Sequence, residues 1–303
     1  MIFNRYRRGL FITSFLAAPV ILYLVYVISP YLQAFYIAMT DWRGVTATPT
    51  FIGLDNFVRL FGDSVFWKAV THNAALLVLL PLITIVIALF FAFLLNVGGA
   101  QGTSGIRGSK FYRVVFFFPQ VLAVTVVAVL FQQVFRPDGS GMLNGPLMAL
   151  GVKPIGFLSD PGVAFWSVLG VMVWQAVGFY VVLFSAGLAS IPRDMFEAAQ
   201  IDGAGRLSLF FRVTLPLLWD TVQVAWVYLG ILALDVFAIV WVMTYQHGGP
   251  DWSTAVMATE IYRNAFAYFR FGYASALGVV MFFFTVGFAI LSLRLSRRER
   301  IEY

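Results

Sequence analysis

Six long apolar runs separated by polar stretches set the pattern of this chain. They cover about residues 10–38, 73–97, 114–135, 163–188, 217–244 and 274–293. A bilayer core about 30 Å thick is crossed by about 20 apolar residues in a helix, a length each run reaches. The pattern predicts an all-α polytopic membrane protein with six transmembrane helices. The first run is interrupted by Pro19 and Pro30, the third has Pro119 near its start, and the fifth contains Asp235. Arg5, Arg7 and Arg8 precede the first run as they would in a signal peptide, but the run is too long for a signal core, so a retained helix is expected.

The polar stretches differ in character. Residues 41–72 hold Phe51-Ile52-Gly53-Leu54-Asp55-Asn56-Phe57 and a short amphipathic piece around 65–70. Residues 98–109 are Gly/Ser-rich, 136–162 are rich in Gly and Pro, and 245–273 form a third loop on the same side as the first. The expected organisation is an N-terminal helix and external loop (1–72), a five-helix core (73–294) with a polar elbow at about 190–216, and a basic tail (295–303).

Composition agrees. The chain has 303 residues, 61% hydrophobic and 11% charged, against about 25% charged in soluble domains. Cysteine is absent, which removes disulfides, thiol catalysis and thiolate metal sites, and two histidines far apart in sequence give no expected metal site. The net charge of +6 would suit a nucleic-acid partner, but its distribution explains it otherwise. With the N-terminus in the cytoplasm, Arg5, Arg7, Arg8, Arg107, Lys110, Arg113, Arg193, Arg206, Arg212 and the four C-terminal arginines all lie inside. Arg43, Arg59, Lys68, Arg136, Lys153, Arg263 and Arg270 lie outside, matched by seven acids. This is the positive-inside pattern, with both termini cytoplasmic and no nucleic acid required.

The elbow after the fourth run is charged yet small-surfaced. Pro192 stands near a helix start, Asp194 and Glu197 fall in the first turns where the helix dipole favours acids, and Gly203 is placed to end the helix. A second short helix over about 206–213 leads back to the membrane at Pro216. Read from these residues alone, the elbow is equally an ordinary amphipathic loop.

Glu197-Ala198-Ala199, then Gly203, Val213 and Leu215-Pro216, resembles the EAA signature of permease subunits of binding-protein-dependent ABC importers, with Val213 where isoleucine is usual. The segment 51–57, Ile191-Pro192, Ile201-Asp202-Gly203-Ala204, Gly248-Gly249-Pro250 and residues 271–277 are similar to its sugar branch, the maltose-type and glycerol-3-phosphate-type permeases. Two departures are an extra Tyr245-Gln246-His247 before the Gly-Gly-Pro and Ala238 where an acid is common, with Asp235 one turn earlier. The loop before the fourth run is also short beside that of the maltose-type member.

The resemblance implies a multi-pass subunit of the bacterial cytoplasmic membrane, in contact with lipid and itself non-catalytic. Its implied partners are a second permease subunit, two cytoplasmic ATPase subunits, an extracytoplasmic solute-binding protein and a sugar-like solute. Glu197, Ala198, Ala199, Asp202, Gly203, Leu215 and Pro216 would couple to an ATPase subunit. None of the three lysines follows a glycine, so the chain has no phosphate-binding P-loop; no cofactor is expected in it, and ATP and Mg would be bound by the partner ATPases.

Gly102-Thr103-Ser104-Gly105 matches the serine motif of intramembrane proteases, but it stands in a polar loop without a histidine at its level. A stand-alone secondary transporter or channel would show internal repeats or a ring of charge, and neither is evident. Polar side chains within apolar runs are candidate solute contacts. These are Gln120, Gln132 and Gln133, then Trp174, Gln175 and Tyr180, then Gln223, Tyr228 and Asp235. Amides and a carboxylate beside aromatic faces suit a polyhydroxylated ligand, while glutamines that join helices would look the same.

Overall fold

The computed structural model describes residues 2–45, 49–97 and 108–295. Residues 98–107, with Arg107 and the Gly-x-Ser-Gly stretch, and the tail 296–303 lie outside the described residues. The chain forms two compact units: Met1–Asp63 with Glu260–Phe282, and Ser64–Thr259 with Phe283–Tyr303.

In the first unit, α1 (Ile2–Tyr23) passes through a widened π turn, Leu24–Ile28, into α2 (Ser29–Ala38). Pro30 lacks the N–H that a regular turn would require just there, and the ladder accommodates it by one i→i−5 step from Ser29 to Leu24. The stretch Phe11–Ala38 is apolar and mostly exposed, as a lipid-facing span would be. After α2 the chain turns back through a single antiparallel bridge, Thr40 to Phe51, into α3 (Asp55–Phe61). Asn56 explains why the segment 51–57 is built as it is. Its buried amide donates to the Ala38 and Thr40 carbonyls at 2.9 and 2.8 Å, satisfying acceptors freed where α2 ends. From the far end of the chain, Phe282 packs on Tyr31 and Phe35.

The second unit is built on α4 (Ser64–Val97), which runs nine residues further toward the N-terminus than the apolar run suggested. Two helices follow, α5 (Ser109–Val121) and α6 (Val124–Val134), bent by 97°. The expected single third span is therefore a broken one. Pro119 removes a donor from the last turn of α5, and Leu122 and Ala123 are extended. A short α7 (Asn144–Ala149) precedes α8 (Pro161–Ser190), started by Asp160, whose carboxylate accepts from Gly162 N at 2.7 Å.

Beyond α8 come α9 (Arg193–Ile201), α10 (Arg206–Leu209), a π turn Phe210–Thr214, α11 (Leu215–Leu217) and α12 (Trp219–Leu234), with a 71° bend before α12. The expected fifth span over 217–244 is also corrected. Helix stops at Leu234, the backbone is irregular over Asp235–Phe237, and helix resumes as α13 (Ala238–Met243). No proline or glycine marks this break. Asn73 on α4 supports it: its buried amide donates to the Ala233 and Leu234 carbonyls (3.0 and 3.3 Å) and accepts from Met257 N (2.8 Å). Two further helices, α14 (Met257–Tyr262) and α15 (Phe271–Leu295), complete the chain.

The fold is thus all-helical, with four helices long and apolar enough to cross a membrane, or six if each bent pair counts as one span. Leu76, Leu80, Ala88 and Ala92 of α4 meet Val168, Val171, Val181 and Phe184 of α8 and Ala225 and Leu229 of α12 in one buried core. Asn73→Ala would strand two carbonyls and one N–H in that core, at about 1–3 kcal/mol for each group left unsatisfied. We expect a lowered melting temperature in detergent and faster proteolysis near residue 235, while an unchanged melting curve would remove Asn73 from this role.

Candidate functional site

The elbow between α8 and α12 is rooted on one face and open on the other. Phe196 and Leu209 are buried with Phe93, whose ring lies 5.2 Å from that of Phe210, and Ala199 and Ala204 pack partly against the same core. Glu197, Ala198, Asp202 and Gly203 are exposed, as is Pro216, while Leu215 is half-buried. Ile201 and Leu207, neither of them among the expected coupling residues, are 86% and 76% exposed. Bulky aliphatic side chains held out beside two exposed small residues form a surface suited to a protein groove.

The end of α9 is closed by backbone geometry. Gly203 has φ +80°, its N–H donates to Gln200 O at 2.9 Å, and Ala204 N–H donates to Ala199 O at 2.9 Å. Those two bonds are the paired closure of a Schellman turn, and the left-handed residue in it is the expected glycine. Just before the elbow, Asn96 ties the ends of three helices. Its amide donates to Ala92 O and to Ser185 Oγ (2.9 Å), and its oxygen accepts from the Arg113 guanidinium. The elbow is therefore carried on a stiff base of α4, α5 and α8.

The second candidate lies where the helices break. A cavity of about 300 Å³ is lined by Gln120, Gln175, Leu229, Leu232, Asp235 and Phe237, among others. It brings together three of the sequence candidates from three different apolar runs. Asp235 is exposed at the end of α12, where the freed backbone leaves its carboxylate open. Gln175 Nε2 donates to Leu122 O, the carbonyl released at the α5–α6 break (3.2 Å). Gln132 serves the end of α13 in the same way, donating to Val242 O at 2.6 Å. These amides satisfy backbone groups that hydrocarbon could not, so helix-joining and cavity-lining coincide in Gln175.

The other candidates lie elsewhere. Trp174 is half-exposed against Phe131 (5.1 Å), and Gln223 and Tyr228 are outside the cavity lining. Tyr180 is buried with no hydrogen-bond partner for its hydroxyl. Among the described residues no group of three His, Asp or Glu could hold a metal ion. His72 instead bonds Ala255 O through Nδ1, and His247 stacks on Trp241 at 4.1 Å.

Comparison with known proteins agrees with this architecture. Residues 97–301 match the family model described as binding-protein-dependent transport system inner membrane component. A diacetylchitobiose uptake permease of Streptomyces coelicolor is 41% identical over 96% of this chain and 83% of its own length. A multiple sugar-binding transport permease of Streptococcus mutans is 32% identical over 95% and 96%. A chain from a bacterial ABC transporter that imports the acidic polysaccharide alginate has the same fold, with a TM-score of 0.84 over 98% of both chains at 23% identity. With more than half its length matched and a two-fifths-identical relative over nearly all of it, this chain belongs to the inner membrane components of binding-protein-dependent transport systems, as a multi-pass, non-catalytic ABC permease subunit.

Proposed function

We propose that this permease moves a sugar or related polar solute handed over by an extracytoplasmic binding protein. In this reading it pairs with a second permease subunit and is driven by two cytoplasmic ATPase subunits, one of which grips its elbow. Both termini and the elbow face the cytoplasm, as the distribution of basic residues favours. The observation that carries the reading is the elbow itself. Its exposed face offers Glu197, Ala198, Ile201 and Leu207, while Phe196 and Leu209 root it in the helical core, so that a pull on the loop reaches α8 and α12. Sugar as cargo is supported by the names of the relatives, which include a xylose/arabinose import permease of Haloferax volcanii. A binding protein as partner is supported by the alginate transporter, solved in complex with its oligosaccharide-bound periplasmic protein.

In this mechanism closure of the ATPases on ATP displaces the elbow, and the broken helices change their packing around the cavity. The breaks matter because helix ends expose carbonyls and amides to a polar solute within the membrane, which intact helices cannot do. Asp235 would accept hydrogen bonds from hydroxyl groups, beside the aromatic face of Phe237. Asp235→Ala is expected to lower uptake tenfold or more, since a hydrogen bond to a charged group contributes about 1.5–3 kcal/mol. Co-purification of the ATPase subunits should be unaffected, and wild-type uptake in the variant would remove Asp235 from the pathway. The function as a whole is tested by purifying the complex, identifying its subunits, and measuring ATPase stimulation by the binding protein loaded with each of a panel of sugars. Absence of an ATPase subunit, or no stimulation by any sugar, would overturn it.

A further inference from the structure

A cavity in the first unit belongs to neither candidate above. It measures about 670 Å³ and is lined by Trp42, Arg43, Arg59, Asp63, Tyr268 and Arg270, with Asp41 and Tyr273 also in its lining. That volume lies within the range of about 300–1,000 Å³ usual for small-molecule sites. We propose that it is a carbohydrate-binding subsite on the outer side of the first unit, fitted to a disaccharide-sized, polyhydroxylated ligand. The inference rests on the sugar reading given above and adds a second place, outside the membrane, where the permease itself holds the cargo.

Three observations carry it. The cavity wall is firmly built. Gly272 packs so closely that a Cβ there would lie 2.0 Å from Thr40 O, its N–H donates to Trp42 O (2.9 Å), and Asn56 pins the same strand. Tyr273 donates to Asp63 at 2.7 Å, fixing that carboxylate, and behind it the buried Glu260 is paired with Arg263. Second, the lip is strained. Phe269 has φ +53°, a conformation that is costly for a non-glycine residue and occurs preferentially at ligand sites. It joins the two lining residues Tyr268 and Arg270, whose guanidinium lies 5.6 Å from the Tyr268 ring centre.

Third, the chemistry is that of sugar recognition. Guanidinium groups donate two parallel hydrogen bonds to neighbouring hydroxyls, carboxylates accept from them, and indole and phenol faces cover the apolar C–H face of a pyranose ring. Three arginines face two carboxylates here, and Asp41 already accepts from Thr50 N, so donors outnumber acceptors and an oxygen-rich ligand fits better than a cation. Residues 41–63 and 263–273 fall in loops that the positive-inside pattern assigns to the outer face, where solute arrives.

The test uses the complete transporter, reconstituted in vesicles for uptake and in nanodiscs for binding. Uptake assays first establish which of diacetylchitobiose, maltose, xylose and arabinose is carried. Binding of that sugar is then measured by titration calorimetry without the binding protein. Arg59→Gln and Trp42→Phe are expected to weaken binding at least tenfold, whereas Lys153→Gln, at an exposed position outside both cavities, leaves this affinity unchanged. Size-exclusion profiles confirm that the variants assemble. If a sugar is carried but the wild-type transporter does not bind it, or if Arg59→Gln and Trp42→Phe bind as wild type does, the outer subsite is refuted while the sugar reading stands. If none of these sugars is carried, both fall.

Discussion

Replacing Gly203 with proline is expected to release the ATPase subunits and to cut transport tenfold or more. Proline cannot reach φ +80°, and it removes the N–H that closes the Schellman turn on Gln200. Gly203→Ala keeps that donor and has open space around the new methyl, so it costs only the left-handed backbone penalty of about 1 kcal/mol. The pair separates backbone geometry from bulk. Glu197→Lys tests the surface without changing the turn, replacing an exposed acid in the middle of α9 with a base. ATPase co-purification and uptake in vesicles are the measurements. Full retention of both in Gly203→Pro and in Glu197→Lys would sink the coupling role.

Gly178→Val is expected to have the largest effect on folding. A Cβ on Gly178 of α8 would lie 1.8 Å from the Phe116 carbonyl oxygen and 2.9 Å from Phe117 Cα on α5. These are backbone atoms and cannot rotate away, so the helices would have to separate, with loss of packing beyond the usual 1–3 kcal/mol of overpacking. Close approach at a small residue is how helices associate where no hydrophobic drive exists between them. Membrane abundance and the midpoint of thermal aggregation should fall sharply, and Gly178→Ala should show a smaller defect in the same direction. Wild-type values for both variants would mean that α5 and α8 are not this close.

Much of the architecture was legible from the apolar runs because lipid demands length and hydrophobicity of every span, and those are properties of the residues alone. The elbow was legible too. Asp194, Gly203 and Pro216 act through local backbone rules, so α9, its left-handed terminus and the return toward α12 follow from their order. The breaks at Leu122–Ala123 and Asp235–Phe237 were not legible. Pro119 hints at the first, but nothing local marks the second. It is held by Asn73, 160 residues away from the carbonyl it satisfies. Arg113 shows the same limit: counted as a topological charge, it also joins α5 to α4 through Asn96.

The candidate cavities divide along the same line. Gln175 and Asp235 could be named as costly polar groups inside spans, but only the packing of α8 beside the end of α12 brings them to one space. Trp174, Tyr180, Gln223 and Tyr228 had equal claim by composition and lie elsewhere. The outer cavity was invisible, because Trp42, Arg59 and Arg270 are ordinary residues of polar stretches until the chain returns after more than two hundred positions. The sequence by itself determined the membrane character, the four continuous spans and the helix and turn of the elbow, since each depends on the transfer energy or backbone preference of neighbouring residues. The tertiary structure alone decided where helices break and which polar groups share a cavity, because those depend on a distant side chain supplying the hydrogen bond that water cannot.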